Sequence, residues 1–211
     1  EKIGAAYVTV MVRGDVAERA FSYDVGVFNG FSRGDQFFGG YSQNYAPLGN
    51  RFEGLAFVGR LGTEPIGALS RSIADETHES PRFGVAGNYF YSDGSARGIH
   101  AGGGDALLHA KGFHLLVEGI YSFVSPKSDP EEPTQSAAEL ASLGIVGEAG
   151  YMILKDLLGV AVRFEYVDAS TEADDEGDNW LLGGGATAMF FDGMVRTTAE
   201  FTHREEIFGV A

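Results

Sequence analysis

No cysteine occurs anywhere in the 211 residues, which removes a disulfide framework and a thiolate metal site at once. No apolar run approaches the ~18 consecutive residues that a membrane-spanning helix requires. Positive charge is scarce too. Fifteen Lys and Arg stand against 30 Asp and Glu, a formal charge of −15. Without the basic stripe that displaces counterions from a polyphosphate, nucleic acid is not an expected partner. No basic-then-apolar leader opens the chain: Glu1 runs straight into an apolar alternation, which reads as a mature or internal amino end. No period of about 20 to 50 residues repeats, so propellers and solenoids drop out as well.

What the chain has is glycine and alternation. Its 31 glycines are twice the usual share of ~7%, without the triplet period of collagen. Hydrophobic residues make up 44%, enough for a folded body. The mean hydropathy of −0.05 does not argue against a membrane barrel, whose strands need only ~9–11 residues with apolar side chains at every second position. That period of two recurs along almost the whole chain. Leu158, Val160, Val162, Phe164 and Tyr166 share one face, with Gly159, Ala161, Arg163 and Glu165 on the other. Phe113, Leu115, Val117, Tyr121 and Phe123 oppose His114, Glu118 and Ser122 in the same way. Phe83, Val85, Tyr89 and Tyr91 oppose Arg82, Asn88 and Ser92, and Phe21, Tyr23, Val25 and Val27 oppose Ser22, Asp24 and Gly26. Extended to the whole chain, this pattern predicts about ten strands, near 3–13, 20–28, 53–62, 82–92, 103–111, 113–124, 145–154, 158–168, 180–191 and 193–204.

The connections alternate in length. Asp192-Gly193 is a two-residue hairpin signal, and Lys111-Gly112 and Lys155-Asp156 look equally tight. Between them lie long polar stretches at 29–51, 125–142 and 168–179. Short turns at one end and long loops at the other are the asymmetry of an outer-membrane barrel. The exception is 62–81, long yet placed at the short-turn end.

Alternation alone would also suit a soluble sandwich, so the second face decides. In a soluble sheet that face is rich in Lys, Glu, Thr and Arg. Here it is sparse and small, with Gly26, Gly54, Ala56, Gly84, Ala86, Gly150, Gly159, Ala161, Gly183 and Gly185 between isolated charges. The apolar phase carries no charge over 55–61, 83–91, 158–166 or 195–201. A lipid-facing Arg or Lys would cost ~2–4 kcal/mol at mid-depth, so this absence is what lipid enforces. Aromatic residues gather near the ends of the apolar phases, as in a headgroup girdle: Phe21, Tyr23, Tyr89, Tyr91, Tyr121, Phe123, Tyr151, Tyr166, Phe190 and Phe201.

Residues 21–30, Phe-Ser-Tyr-Asp-Val-Gly-Val-Phe-Asn-Gly, end a strand in a Val-Phe-Asn-Gly loop start that resembles the phosphate-selective porin O/P family. Residues 82–91, the Gly-Gly-Asp strand from Gly103, and the Lys111-Gly112-Phe113 hairpin with Glu118 and Tyr121 support the likeness. So do 148–151, 163–168 and 191–196, in order. The resemblance implies a 16-stranded, trimeric barrel that passes anions across the outer membrane of a Gram-negative bacterium, in contact with lipid and lipopolysaccharide. Ten strands fall short of that number. The expectation is therefore a single all-β domain over 1–211, a transmembrane antiparallel up-and-down barrel that is incomplete, lacking early strands and the last.

In a channel the chemistry is charge along the lumen. The candidate pore-lining residues are Arg60, Arg82, Asp105, Lys111, Glu118, Glu148, Arg163, Glu165, Arg196 and Glu200, with Asp24 on the same phase. A transverse salt-bridge network is the competing role for these charges. With only Lys2, Lys111, Lys127 and Lys155, the lysine cluster that the resemblance implies has no counterpart to carry over. The acidic run Glu172, Asp174, Asp175, Glu176 and Asp178 lacks EF-hand spacing and reads as a solvated loop. His100, His109 and His114 fall in one hairpin without a carboxylate at ligand spacing, so no metal is expected. Gly183-Gly184-Gly185 is no phosphate loop, since neither lysine nor helix follows. No catalytic constellation stands out: a barrel hydrolase would use His109 or His114 as base, but no nucleophile is identifiable.

The sequence thus points to a non-enzymatic porin without cofactor, passing small hydrophilic solutes or anions such as phosphate. A non-conducting accessory barrel is the alternative. A soluble carbohydrate-binding sandwich, with Phe37, Phe38, Tyr41 and Tyr45 as its platform, is the third reading.

Overall fold

The computed structural model describes residues 9–16, 21–29, 55–69, 72–76, 78, 80–93, 97–126, 140–171, 178–190 and 195–207. The expected strand start at residue 3, the Asp192-Gly193 turn, the aromatic residues of 37–45 and most of the acidic run lie outside them. Ten strands follow in chain order: β1 (Thr9–Val16), β2 (Phe21–Asn29), β3 (Leu55–Ile66), β4 (Arg82–Asp93), β5 (Arg97–Ala110), β6 (Phe113–Pro126), β7 (Leu140–Leu154), β8 (Leu158–Asp168), β9 (Asp178–Phe190) and β10 (Val195–Ile207). Each pairs antiparallel with its neighbours in sequence, giving one ten-stranded up-and-down sheet. Among the described residues β1 and β10 do not pair, so the sheet is open at both edges. No helix among them is long and apolar enough to cross a membrane.

The tight connections follow from local chemistry. Lys111 and Gly112 take φ of 53° and 91°, the two positive values that a type I′ hairpin needs to match strand twist. Gly112 also lies so close to His78 that a Cβ would come within 2.6 Å of its Nε2. At the β7–β8 turn Asp156 takes φ of 56°, a value its short polar side chain tolerates, and Leu157 N donates to Leu154 O at 3.0 Å. The register shifts once beside this turn, between Met152 and Leu154, and once in β3, between Thr63 and Ile66.

The register divides the side chains into two populations. On one face, here the outer, Val25, Leu61, Val85, Val117, Ile145, Val162 and Leu182 come one from each of seven strands, and all are exposed. From β2 to β9 this face carries no Lys or Arg, and its acidic positions, Asp93, Asp168 and Asp178, are at the long-loop ends. Most of its rings gather in two rows, Phe57, Tyr91, Tyr121, Tyr166 and Trp180 toward the long loops and Phe21, Phe83, Phe113, Tyr151 and Phe190 toward the short turns, with Tyr23, Phe164 and Phe201 between them. Between the rows glycine recurs, with Gly87, Gly104 and Gly119 in register across three strands. Gly59 and Gly147 have nothing within 4 Å of where a Cβ would stand.

The other, inner face carries the charges and the small residues. A single-layered sheet has no second layer to pack against, so fully buried apolar side chains are few: Ala56, Val124, Ala141, Met152 and Met189. Met152 and Met189 belong to the inner face near the short turns, where residues 72–76, which we call the strap, cover it.

Candidate functional site

Nine of the ten candidate residues come to the inner face: Arg60 of β3, Arg82 of β4, Asp105 of β5, Glu118 of β6, Glu148 of β7, Arg163 and Glu165 of β8, and Arg196 and Glu200 of β10. Lys111 does not. The positive φ that closes the β5–β6 hairpin puts it in the turn, exposed, so it joins the rim of the short-turn end rather than the wall.

The wall charges answer one another. Arg60 reaches over β4 to grip Asp105 through one nitrogen, at 2.6 and 2.8 Å from the two carboxylate oxygens. Asn88 and Ala86 of the intervening strand leave room for that reach. Asp105 in turn stands opposite Glu118 in the register. Arg163 pairs with Glu165 at 2.5 Å and lies 3.9 Å from Glu148, which accepts from His114 Nε2 at 3.3 Å. Arg13 of β1 pairs with Asp24 of β2. Farther up β10, Arg204 donates to Asn179 at 3.1 Å, and Glu200 accepts from Thr202 at 3.4 Å. Most of these pairs are half-exposed, so each contributes little to stability, ~0–1 kcal/mol, while fixing where the charge stands.

The strap carries the residues that the alternation did not single out. Asp75 is fully buried, pairs with Arg82 at 2.6 Å and accepts from Gly112 N at 2.7 Å. Arg82 is itself buried, so this candidate is a clamp on the strap rather than an open cation. Ile73 O takes a 2.6 Å bond from His109 Nε2; a carbonyl only accepts, so the proton is on that nitrogen and Nδ1 is left without a hydrogen-bond partner. Glu76 accepts from Ser72 Oγ and from Arg196, both at 3.0 Å. The strap therefore ties β4, β5 and the β5–β6 turn to β10 across the inner face.

The three histidines of the hairpin separate. His109 and His114 are opposite each other on the inner face, whereas His100 is on the outer face, its Nδ1 2.7 Å from Tyr89 Oη and its ring 4.7 Å from that of Tyr91. No group of three or more metal-ligating side chains exists among the described residues. His109 and His114 both engage Nε2 with an acceptor, one a carbonyl and one a carboxylate. Asp178, the described end of the acidic run, is buried and accepts from Tyr166 Oη at 2.7 Å.

The only signal in the sequence for Asp75 and Glu76 is the anomalous length of 62–81 at an end where the other connections are short. Compared with family models, with curated proteins and with solved structures, the chain finds no match in any of the three.

Proposed function

We propose that this chain forms the wall of an outer-membrane β-barrel pore in a Gram-negative bacterium, through which small hydrophilic solutes diffuse. The observation that carries the reading is the sorting of side chains across the sheet. Nearly all the charge is on the inner face, and most of the exposed Val, Leu, Ile and aromatic residues are on the outer face, Ile120 and Val167 being inner exceptions. An apolar surface of that extent is untenable in water and calls for lipid or another protein. Two rows of rings with a charge-free band between them suit the headgroup and hydrocarbon levels of a bilayer, with lipopolysaccharide at the long-loop side.

Phosphate selectivity has less support than diffusion. Arg60, Arg82, Arg163 and Arg196 each have a carboxylate partner, so the described wall offers no run of free cations to replace the hydration of a multivalent anion. Further strands completing a 16-stranded barrel, and a homotrimeric assembly, belong to the proposal only through the family resemblance. A non-conducting accessory barrel is favoured by one observation, the strap that crosses the inner face at the short-turn end.

The test is the reversal potential of the protein in a planar bilayer under a KCl gradient, then with phosphate as competitor. Conductance with weak selectivity is the expected result. Strong anion preference with phosphate block would restore the phosphate reading, and absence of conductance would put the accessory barrel first.

A further inference from the structure

Beneath the strap, the inner face of β6 to β10 borders a half-open cavity of about 490 Å3, within the ~300–1,000 Å3 range of small-ligand sites. Its floor is flat, because Gly183 and Gly185 of β9 add no bulk to the inner face. Around it stand Glu76, Glu148 and Glu200 against Arg163 and Arg196. Both guanidiniums are engaged, Arg196 by Glu76 and Arg163 by Glu165 and Glu148. Three carboxylates facing two committed guanidiniums make this a poor host for an anion. His114 also lines the cavity. Its side chain is only 5% exposed, its Nε2 points to Glu148, and its Nδ1 has no hydrogen-bond partner. The ring is held in place by packing over Gly150, where a Cβ would come within 2.2 Å of Cε1.

We infer that this cavity is a binding site for a neutral, hydroxyl-rich solute of one or two sugar rings, gripped by charges that are paired with each other. A hydroxyl both donates and accepts, so it can donate a hydrogen bond to Glu148 or Glu200 and accept one from Arg163 or Arg196. Each guanidinium has five N–H donors and uses only part of them on its carboxylate. A neutral ligand therefore adds bonds without breaking a pair, which a phosphate or an amine would do. The inference rests on the pore reading for access alone: the solute arrives through the lumen.

Calorimetric titration of maltose into the protein in detergent micelles tests the site, with Gly183→Leu as the blocking variant. A Cβ at Gly183 meets Phe201 O at 3.6 Å, Glu200 Oε1 at 3.7 Å and Leu181 Cδ2 at 3.8 Å, all ordinary contacts, so the variant keeps the strand and fills the cavity. Gly185 is unsuitable, since a Cβ there would lie 2.9 Å from Ala199 O. Saturable maltose binding is expected, weakened at least tenfold by Gly183→Leu, with inorganic phosphate failing to compete. Glu200→Gln, at an exposed position, is expected to weaken binding severalfold and replaces the first variant if that one does not fold. No saturable heat from maltose, equal binding by both variants, or displacement of maltose by phosphate would overturn the site. Conductance measured on the same preparation separates the two ideas. A protein that conducts without binding maltose loses the site and keeps the pore, and one that binds without conducting loses the pore and keeps the site.

Discussion

Asp75 is the residue on which the strap turns. It is fully buried, and its two oxygens serve Arg82 and the Gly112 amide. Removing one partner of a buried pair leaves the other charge without compensation, a loss of ~3–5 kcal/mol. Asp75→Ala is expected to lower stability by that order in denaturant unfolding from micelles, and an effect below 1 kcal/mol would mean that the strap is not anchored there. Gly112→Val meets two obstacles, a φ of 91° and the His78 ring. A cost of about 2–3 kcal/mol is expected, read in the same assay. On the wall, Asp105 holds Arg60. Asp105→Asn removes one negative charge and releases a guanidinium, so if the chain conducts as proposed the reversal potential should move toward anion preference, and no movement would place this pair away from the proposed pore.

At the level of strands, the outer face supplies its own test. Val162 lies in the middle of β8, exposed, and flanked in the register by Ala149 and Gly184. Val162→Arg should cost ~2–4 kcal/mol of stability in phospholipid vesicles. In a water-facing sheet the same change would be nearly neutral, which is the result that would remove lipid from the account. The ten strands were legible because a sheet with one apolar face writes a period of two into each of them, and a slip by one residue would exchange the faces. The small inner residues Gly26, Ala56, Gly84, Ala86, Gly159, Ala161, Gly183 and Gly185 were legible for the same reason. The long-loop ends were less so: β5 begins at Arg97 rather than 103 and β7 at Leu140 rather than 145, because glycine-rich or small-residue ends weaken the alternation. The strap was not legible. It has neither period, and apart from Arg82, seven residues from Asp75, its partners lie as far as 36 residues away at His109 and 120 away at Arg196, separations that only the folded sheet brings together. Which arginine takes which carboxylate was equally hidden, since Arg60 passes over β4 to Asp105 by a diagonal that depends on strand stagger.

As a whole, the molecule is a chain of nearest-neighbour pairings with one long-range cross-link, the strap. Among the described residues each strand's backbone pairs only with its neighbours in sequence, and side chains join non-neighbours chiefly where Arg60 passes over β4 to Asp105 and where the strap reaches β10. This arrangement has a mechanical consequence. Under a pulling force applied at the β10 end, the sheet has no interlocked core to resist as a unit, so it should peel away hairpin by hairpin, β9 with β10 first and β7 with β8 next. The first of these steps must also part Arg196 from Glu76. Single-molecule force spectroscopy should therefore record a sawtooth whose first peak stands above the second in low salt and falls level with it when Arg196→Ala cuts the link. An even sawtooth in the unaltered protein would mean that the strap bears no load.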